Sequence, residues 1–289
     1  MLRLGHTLTP KTVGVVTKVE VYRYSLQFED YVFYATTERG KVFETGWFIH
    51  NYALTYALGL ALSNYREDSQ KPEYDEQLSP LNQAGVYVTP AMVLEVTRYR
   101  INQFNTMGET FILGRGQSLG YPAWGFAKMF RPLRERFVKD RRGNILKDPQ
   151  GLPIYQKNAT GYLICRESLP ESVKYLADYY QSDAINILTA QYLRLGKFMA
   201  KVKMTLTPAQ SVQKVKQARS LAGLLNWADL PTKPQLFNLI ASALPTRLIA
   251  SASFTTASDL IKAEFNDDPT EVYLPGDMIY LGGRGVRAG

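Results

Sequence analysis

Two stretches of this chain alternate apolar and polar residues too regularly to be anything but strands. From Lys18 to Phe28 the apolar set is Val19, Val21, Tyr22, Tyr24, Leu26 and Phe28. From Lys197 to Leu206 it is Phe198, Ala200, Val202, Met204 and Leu206, with Lys197, Lys201 and Lys203 among the residues between them. A period of two sends alternate side chains to opposite faces, so each stretch predicts a half-buried strand. Tyr31 to Thr36, Val42 to Phe48, Gly85 to Pro90, Met92 to Arg100, Tyr162 to Glu167, Arg247 to Phe254 and Glu271 to Leu274 read as further β-prone runs. A helix is expected over Asn51 to Leu62, which is rich in Ala and Leu, with His50 or Asn51 near its N-terminus. Ser211 to Trp227 reads as an amphipathic helix capped by Ser211, and Glu67 to Gln83, with Pro72 and Pro80, as a loop.

Strands on either side of a buried helix suit an α+β fold with a split βαβ sheet of the ferredoxin or RNA-recognition type. The 289 residues fit one large domain or two small ones, and with no linker or repeat one domain over 1–289 is expected. Residues 18–102 form its N-terminal half, 103–161 an insertion, and 162–289 the remaining core strands and helices. With 45% apolar residues, wholesale disorder is excluded.

The chemistry inventory is short. His6, His50 and Cys165 are the only histidines and cysteine, so no zinc site of the usual Cys/His spacing can be assembled. No phosphate-binding loop, dinucleotide fingerprint or serine elbow is present, and no cofactor or metal is expected. Cys165 follows Tyr162-Leu163-Ile164 and reads as a small core residue. A start without an apolar block, no run of about 18 apolar residues and a lone cysteine predict a cytoplasmic protein without a membrane span.

Charge carries the functional signal. The net formal charge is +8, and the window Lys128 to Lys147 alone carries +6: Lys128, Arg131, Arg134, Arg136, Lys139, Arg141, Arg142 and Lys147 against Glu135 and Asp140. Five of these eight cations are arginine, whose planar fork suits phosphate. Within the same insertion lie glycines 108, 114, 116, 120, 125 and 143 and the aromatics Phe111, Tyr121, Trp124, Phe126 and Phe130. Phe137 to Lys139 and Ile145 to Lys147 flank Arg142-Gly143-Asn144 and read as a hairpin. The plain reading is a solvated charged face. The functional reading is an arm on which aromatics stack unpaired bases and arginines hold the backbone, favouring single-stranded or A-form RNA. Tyr22, Tyr24, Phe33 and Tyr34 could stack bases too, but at strand spacing they read more readily as core.

A resemblance sharpens this. Tyr34, Ala35, Thr36, Glu38, Gly40, Glu44, Thr45 and the run His50 to Gly59 (HNYALTYALG) resemble the N-terminal block of the Cas-five-type small backbone subunit of type I-D CRISPR effector complexes. Tyr87 to Pro90 and Leu274 to Asp277 continue the likeness. It implies a ferredoxin-like core with a β-hairpin thumb and a strand-rich C-terminal part. It also implies a subunit without a catalytic site that grips the 5′ handle of the CRISPR RNA and caps the filament of larger backbone subunits. Contact with the large subunit, near the motif beside the DNA target, is implied as well. The basic insertion is the thumb candidate, inferred from charge. Expected RNA-binding residues are Arg39, Lys41, His50, Asn51, Tyr52, Arg115, Gln117, Lys128, Arg131, Arg134, Arg136, Lys139, Arg141, Arg142 and Arg284. The alternatives are a metal-independent endoribonuclease with His50 as base, assisted by Tyr52 or Lys41, and an assembly protein that touches only proteins.

Overall fold

A computed structural model describes residues 19–61, 73–94, 98–105, 124–131, 137, 140, 142–147, 151, 159–167, 170–171, 191–240, 247–255, 258–266 and 268–281. Strands hold 55% of the described residues and helices 10%, in curled sheets that are antiparallel except for one parallel pair. The expected α+β, ferredoxin-like class is therefore corrected to a mostly β architecture. The described residues contain two helices, and everything described beyond residue 190 is strand, turn or loop.

In chain order the first elements are β1 (Glu20–Phe28), β2 (Thr37–Arg39), β3 (Val42–Glu44), β4 (Phe48–Ile49), α1 (Asn51–Ala57) and α2 (Tyr74–Gln83). They are followed by β5 (Val86–Val88), β6 (Ala91–Val93), β7 (Arg98–Asn105), β8 (Trp124–Arg131) and β9 (Ala159–Cys165). The last are β10 (Gln191–Leu195), β11 (Ala200–Pro208), β12 (Ser211–Lys216), β13 (Arg219–Asn226), β14 (Leu236–Leu239), β15 (Leu248–Phe254), β16 (Asp259–Phe265) and β17 (Asp268–Pro275).

The main sheet runs β10-β11-β1-β9-β6-β4, with β5 also paired to β9, and all its pairings are antiparallel. The alternation in sequence is its cause. Tyr22, Tyr24, Leu26 and Phe28 of β1 share a face with Val202, Met204 and Leu206 of β11, and all are buried. The opposite face of β10 and β11 carries Tyr192, Arg194, Lys201 and Lys203. Gly161 of β9 lets Tyr24 lie across the strand and donate its hydroxyl to the Thr89 carbonyl at 2.7 Å. Cys165 is buried in this core, and desolvation pushes its thiol up to about 12.

Helix α1 packs on β5 and β10, and α2 on β5. The two helices are tied by a hydrogen bond from the Tyr56 hydroxyl to Gln77. The stretch read as a loop contains α2 because Leu78 and Leu81 are buried, which outweighs Pro80 inside the helix. Proline removes one helical donor, and the Glu76 carbonyl it leaves free accepts from Ser79 Oγ at 3.4 Å.

The helix expected over Ser211 to Trp227 is instead β12 and β13. These belong to two three-stranded antiparallel sheets, β12-β16-β17 and β13-β15-β14. The register of β13 against β15 shifts between Ala222 and Leu225, at Gly223 with φ +138°. That bulge turns Leu221, Leu224 and Leu225 all inward, so a strand acquires the i, i+3, i+4 spacing of a helix face.

Candidate nucleic-acid interface

A fourth sheet, β2-β3-β8-β7, carries the described part of the basic region. β7 and β8 form an antiparallel pair from Arg98↔Arg131 to Asn105↔Trp124, β3 runs parallel to β8, and β2 closes the side. One face is anchored. Ala127 and Met129 pack with Phe33, supported by Tyr31, Ala35 and Phe43, and the Arg131 guanidinium lies 5.1 Å from the Tyr31 ring centre. Phe130, pointing the other way at the root, sets its ring edge-on to Phe28 of the main sheet.

The face on the Lys128 side is open. Register places Tyr99, Ile101 and Gln103 of β7 beside Phe126 and Lys128 of β8, then Val42 and Glu44 of β3, then Arg39 of β2. Lys128 Nζ lies 3.2 Å from Glu44 Oε1 and 4.8 Å from the Tyr99 ring centre, and Arg39 Nε lies 3.4 Å from Glu44 Oε2. Glu44 thus pre-orients two cations beside an exposed aromatic. Pairs this accessible to water contribute little stability, so their charge remains available to a polyanion. β7 has a strand neighbour on one side only among the described residues, and its Arg98, Tyr99, Arg100, Ile101 and Gln103 are exposed. The four strands hold five cations against two carboxylates.

Of the expected residues, Arg39, Lys128 and Arg131 come together on this sheet. Lys41 is exposed in the β2–β3 turn, its carbonyl accepting the Phe126 amide at 2.8 Å. Arg142 is exposed in a tight turn organised by Asp140, whose carboxylate accepts the amides of Arg142 at 2.8 Å and Asn144 at 2.9 Å. Hydrogen bonds, first from the Asn144 side chain, hold that carboxyl below its ordinary value. Gly143 sits there at φ +85°, as a glycine turn requires. Arg115, Gln117, Arg134, Arg136, Lys139, Arg141 and Arg284 lie outside the described residues, as does most of the 103–161 insertion. Arg98 and Arg100 were not among the expected residues. Their signal was the triplet Arg98-Tyr99-Arg100, two cations around an aromatic.

His50, Asn51 and Tyr52 point inward. His50 is 7% exposed and caps α1, its Nδ1 accepting the Tyr52 amide at 3.2 Å. Asn51 and Tyr52 join a buried polar cluster around Asp229. The Asp229 carboxylate accepts from Asn51 Nδ2 at 2.8 Å, Asn226 Nδ2 at 2.9 Å, the Tyr52 hydroxyl at 2.7 Å, the Tyr87 hydroxyl at 3.0 Å and the Leu281 amide at 3.2 Å. One turn on, the Thr55 and Tyr280 hydroxyls share a hydrogen bond of 2.7 Å. Burial raises the Asp229 carboxyl to about 6 against the opposing pull of these donors. The polar residues of the HNYALTYALG run therefore close the core.

A cleft of about 320 Å³ lies where β13 and β17 meet β6 and β9, edged by Arg219, whose guanidinium stacks 3.8 Å from the Tyr273 ring centre. Among the described residues no group of three or more His, Cys, Asp or Glu is placed to hold a metal ion, and no helix is long and apolar enough to cross a membrane.

The family model for the type I-D CRISPR-associated protein Cas5/Csc1 matches residues 19–137 and 171–283, which take in both the basic sheet and the Asp229 cluster. No curated protein matches the chain. With most of its length matched, the chain belongs to the type I-D CRISPR-associated Cas5/Csc1 family, and with it to the subunits of a CRISPR effector (Cascade) complex.

Proposed function

We propose that this chain is a non-catalytic RNA-binding subunit of the type I-D complex. It holds the 5′ handle of the CRISPR RNA, caps the filament of larger backbone subunits and contacts the large subunit near the motif beside the DNA target. Family membership supports the effector-complex setting. The observation that carries RNA binding is the sheet β2-β3-β8-β7, with Arg39 and Lys128 on the open face beside the exposed Tyr99 and with Arg98 and Arg100 exposed on the other side of β7. Cations there neutralise phosphates, and an aromatic offers a face to an unpaired base. The buried, capping position of His50 supports a role without catalysis.

Two experiments test this reading. Binding of repeat-derived RNA, measured by fluorescence anisotropy from 50 to 200 mM salt, is expected to weaken with a log–log slope of about 0.7 per phosphate contacted. Reversing Arg39 and Arg100 to Glu is expected to flatten it, and an unchanged slope contradicts the interface. Repeat RNA incubated with the protein in EDTA is expected to remain intact. Site-specific cleavage lost in His50→Ala would replace this reading with an endoribonuclease.

A further inference from the structure

The turn joining β10 to β11 is built in an unusual way. It runs from Gly196 to Met199, and Met199 has φ +51°, the only non-glycine residue with positive φ among those described. An L side chain in the left-handed region is strained, and glycine or asparagine is the ordinary occupant. Packing does not account for methionine here, because the side chain is 68% exposed. The turn is nonetheless held firmly. Met199 N donates to the Gly196 carbonyl at 3.0 Å, Lys197 N to the Phe33 carbonyl at 3.0 Å, and Arg194 Nη1 to the Met199 carbonyl at 3.0 Å. A fixed, strained turn that displays an apolar side chain points to a contact made by that side chain.

Its neighbours define the contact. Phe198 stacks on Phe33 with ring centres 5.1 Å apart and planes 18° apart, yet remains 49% exposed. One ring face is seated on the protein and the other is accessible. Tyr192, also 49% exposed, lies on the polar face of β10, with Lys201 Nζ 3.9 Å from its ring centre. Arg194 and Lys203 share that face, and Lys197 is exposed in the turn. Four cations thus surround two accessible rings and a methionine. The carboxylates alongside are Glu29 and Asp30, and Asp30 is engaged by the Lys201 amide at 3.2 Å. Cations interleaved with aromatics suit a single-stranded nucleic acid better than an apolar protein face.

Through Phe33 the turn also abuts the basic sheet, on the side where register places Arg98, Arg100 and Arg131. Phe33, the seat of Phe198, packs against Ala127 and Met129 of β8, and the Arg131 guanidinium lies on Tyr31 two residues away. We infer that the β10–β11 turn and strand face, Tyr192, Arg194, Lys203, Phe198 and Met199, form a second platform for single-stranded RNA that continues the strand held on β2-β3-β8-β7. Bases stack on Tyr192 and Phe198 and against Met199, and Arg194 and Lys203 hold phosphates. The inference rests on the RNA-binding reading and extends it to a separate element.

The test uses the full chain and 5′-fluorescein oligouridine of 16 nucleotides, with the matching oligothymidine as the DNA arm. Met199→Gly suits the backbone of the turn and removes only the side chain, so it is expected to match or exceed the wild type in thermal stability. Its RNA affinity is expected to fall about fivefold, as is that of Tyr192→Ala. Lys203→Gln is expected to lower the salt slope by about 0.7. Unchanged affinity in all three, with Arg39→Glu and Arg100→Glu still weakened, overturns the platform and leaves the proposed function standing. Absence of wild-type RNA binding overturns both. Equal or larger losses on the DNA arm overturn the assignment to RNA. Unchanged RNA affinity with lost assembly into the effector complex makes the surface a protein contact and overturns the inference.

Discussion

The side-chain amide of Asn51 donates to the Asp229 carboxylate at 2.8 Å across 178 residues of chain, joining the start of α1 to the turn after β13. Asn51 also donates to the Tyr87 hydroxyl at 3.2 Å and accepts from Asn226 Nδ2 at 3.0 Å. Replacing it with Ala strips a buried carboxylate of one donor and leaves two other polar groups short. Asn51→Ala is expected to cost about 2–3 kcal/mol. A urea titration should show a lower midpoint at unchanged slope, with RNA affinity of the folded protein preserved.

The same cluster makes stability depend on pH. Asp229 has a folded pKa of about 6, above the value of about 3.9 expected for an unfolded Asp. The folded state therefore binds this proton more tightly. The group's contribution is fully present below about pH 4, is lost as pH rises to about 6, and is constant above that. Two units correspond to roughly 3 kcal/mol. Urea unfolding between pH 4 and 7 should show the wild type losing stability through this window relative to Asp229→Asn. Parallel curves would contradict the assignment.

Gly161 faces a tyrosine ring. A Cβ there would collide with the Tyr24 hydroxyl end and the Pro90 carbonyl. Gly161→Ala is expected to destabilise by about 1–3 kcal/mol through displacement of Tyr24, read as a fall in thermal midpoint. Gly40→Ala, with open space around its Cβ but φ +61°, should cost less, about 1 kcal/mol.

Cys165 should resist thiol reagents in the native protein. It is buried among apolar residues and its thiol is raised to about 12. Labelling by Ellman's reagent at pH 8 is expected only after denaturant is added.

The strands β1 and β11 were legible through their alternation and β9 and β15 through β-prone composition, although β1, central in the main sheet, also buries Arg23 and Ser25 on the face expected to meet solvent. Helix α1 was legible through its Ala and Leu content. The α+β expectation failed where local pattern and tertiary pairing diverge. The bulge at Gly223 gave β13 a helical spacing, and Pro80 disguised α2 as loop. At the interface, charge density pointed to Lys128, Arg131 and Arg142, yet Arg98 and Arg100 fell outside the densest window and join it only because β7 pairs with β8. Asp229 was missed for a deeper reason. Its apolar neighbours Trp227, Ala228 and Leu230 do not reveal the donors that satisfy it, since apart from Asn226 its side-chain partners Asn51, Tyr52 and Tyr87 lie far away in the chain. For the same reason Asn51 and Tyr52 resembled surface polar residues until the fold placed Asp229 beside them.

The most direct measurement is photo-crosslinking of 4-thiouridine-substituted CRISPR RNA in the assembled effector particle, with the crosslinked peptides of this subunit mapped by mass spectrometry. Crosslinks are predicted in the peptides that carry Arg39, Tyr99, Arg100 and Lys128. If the RNA crosslinks elsewhere on the subunit and never to these strands, the basic sheet does not hold the guide.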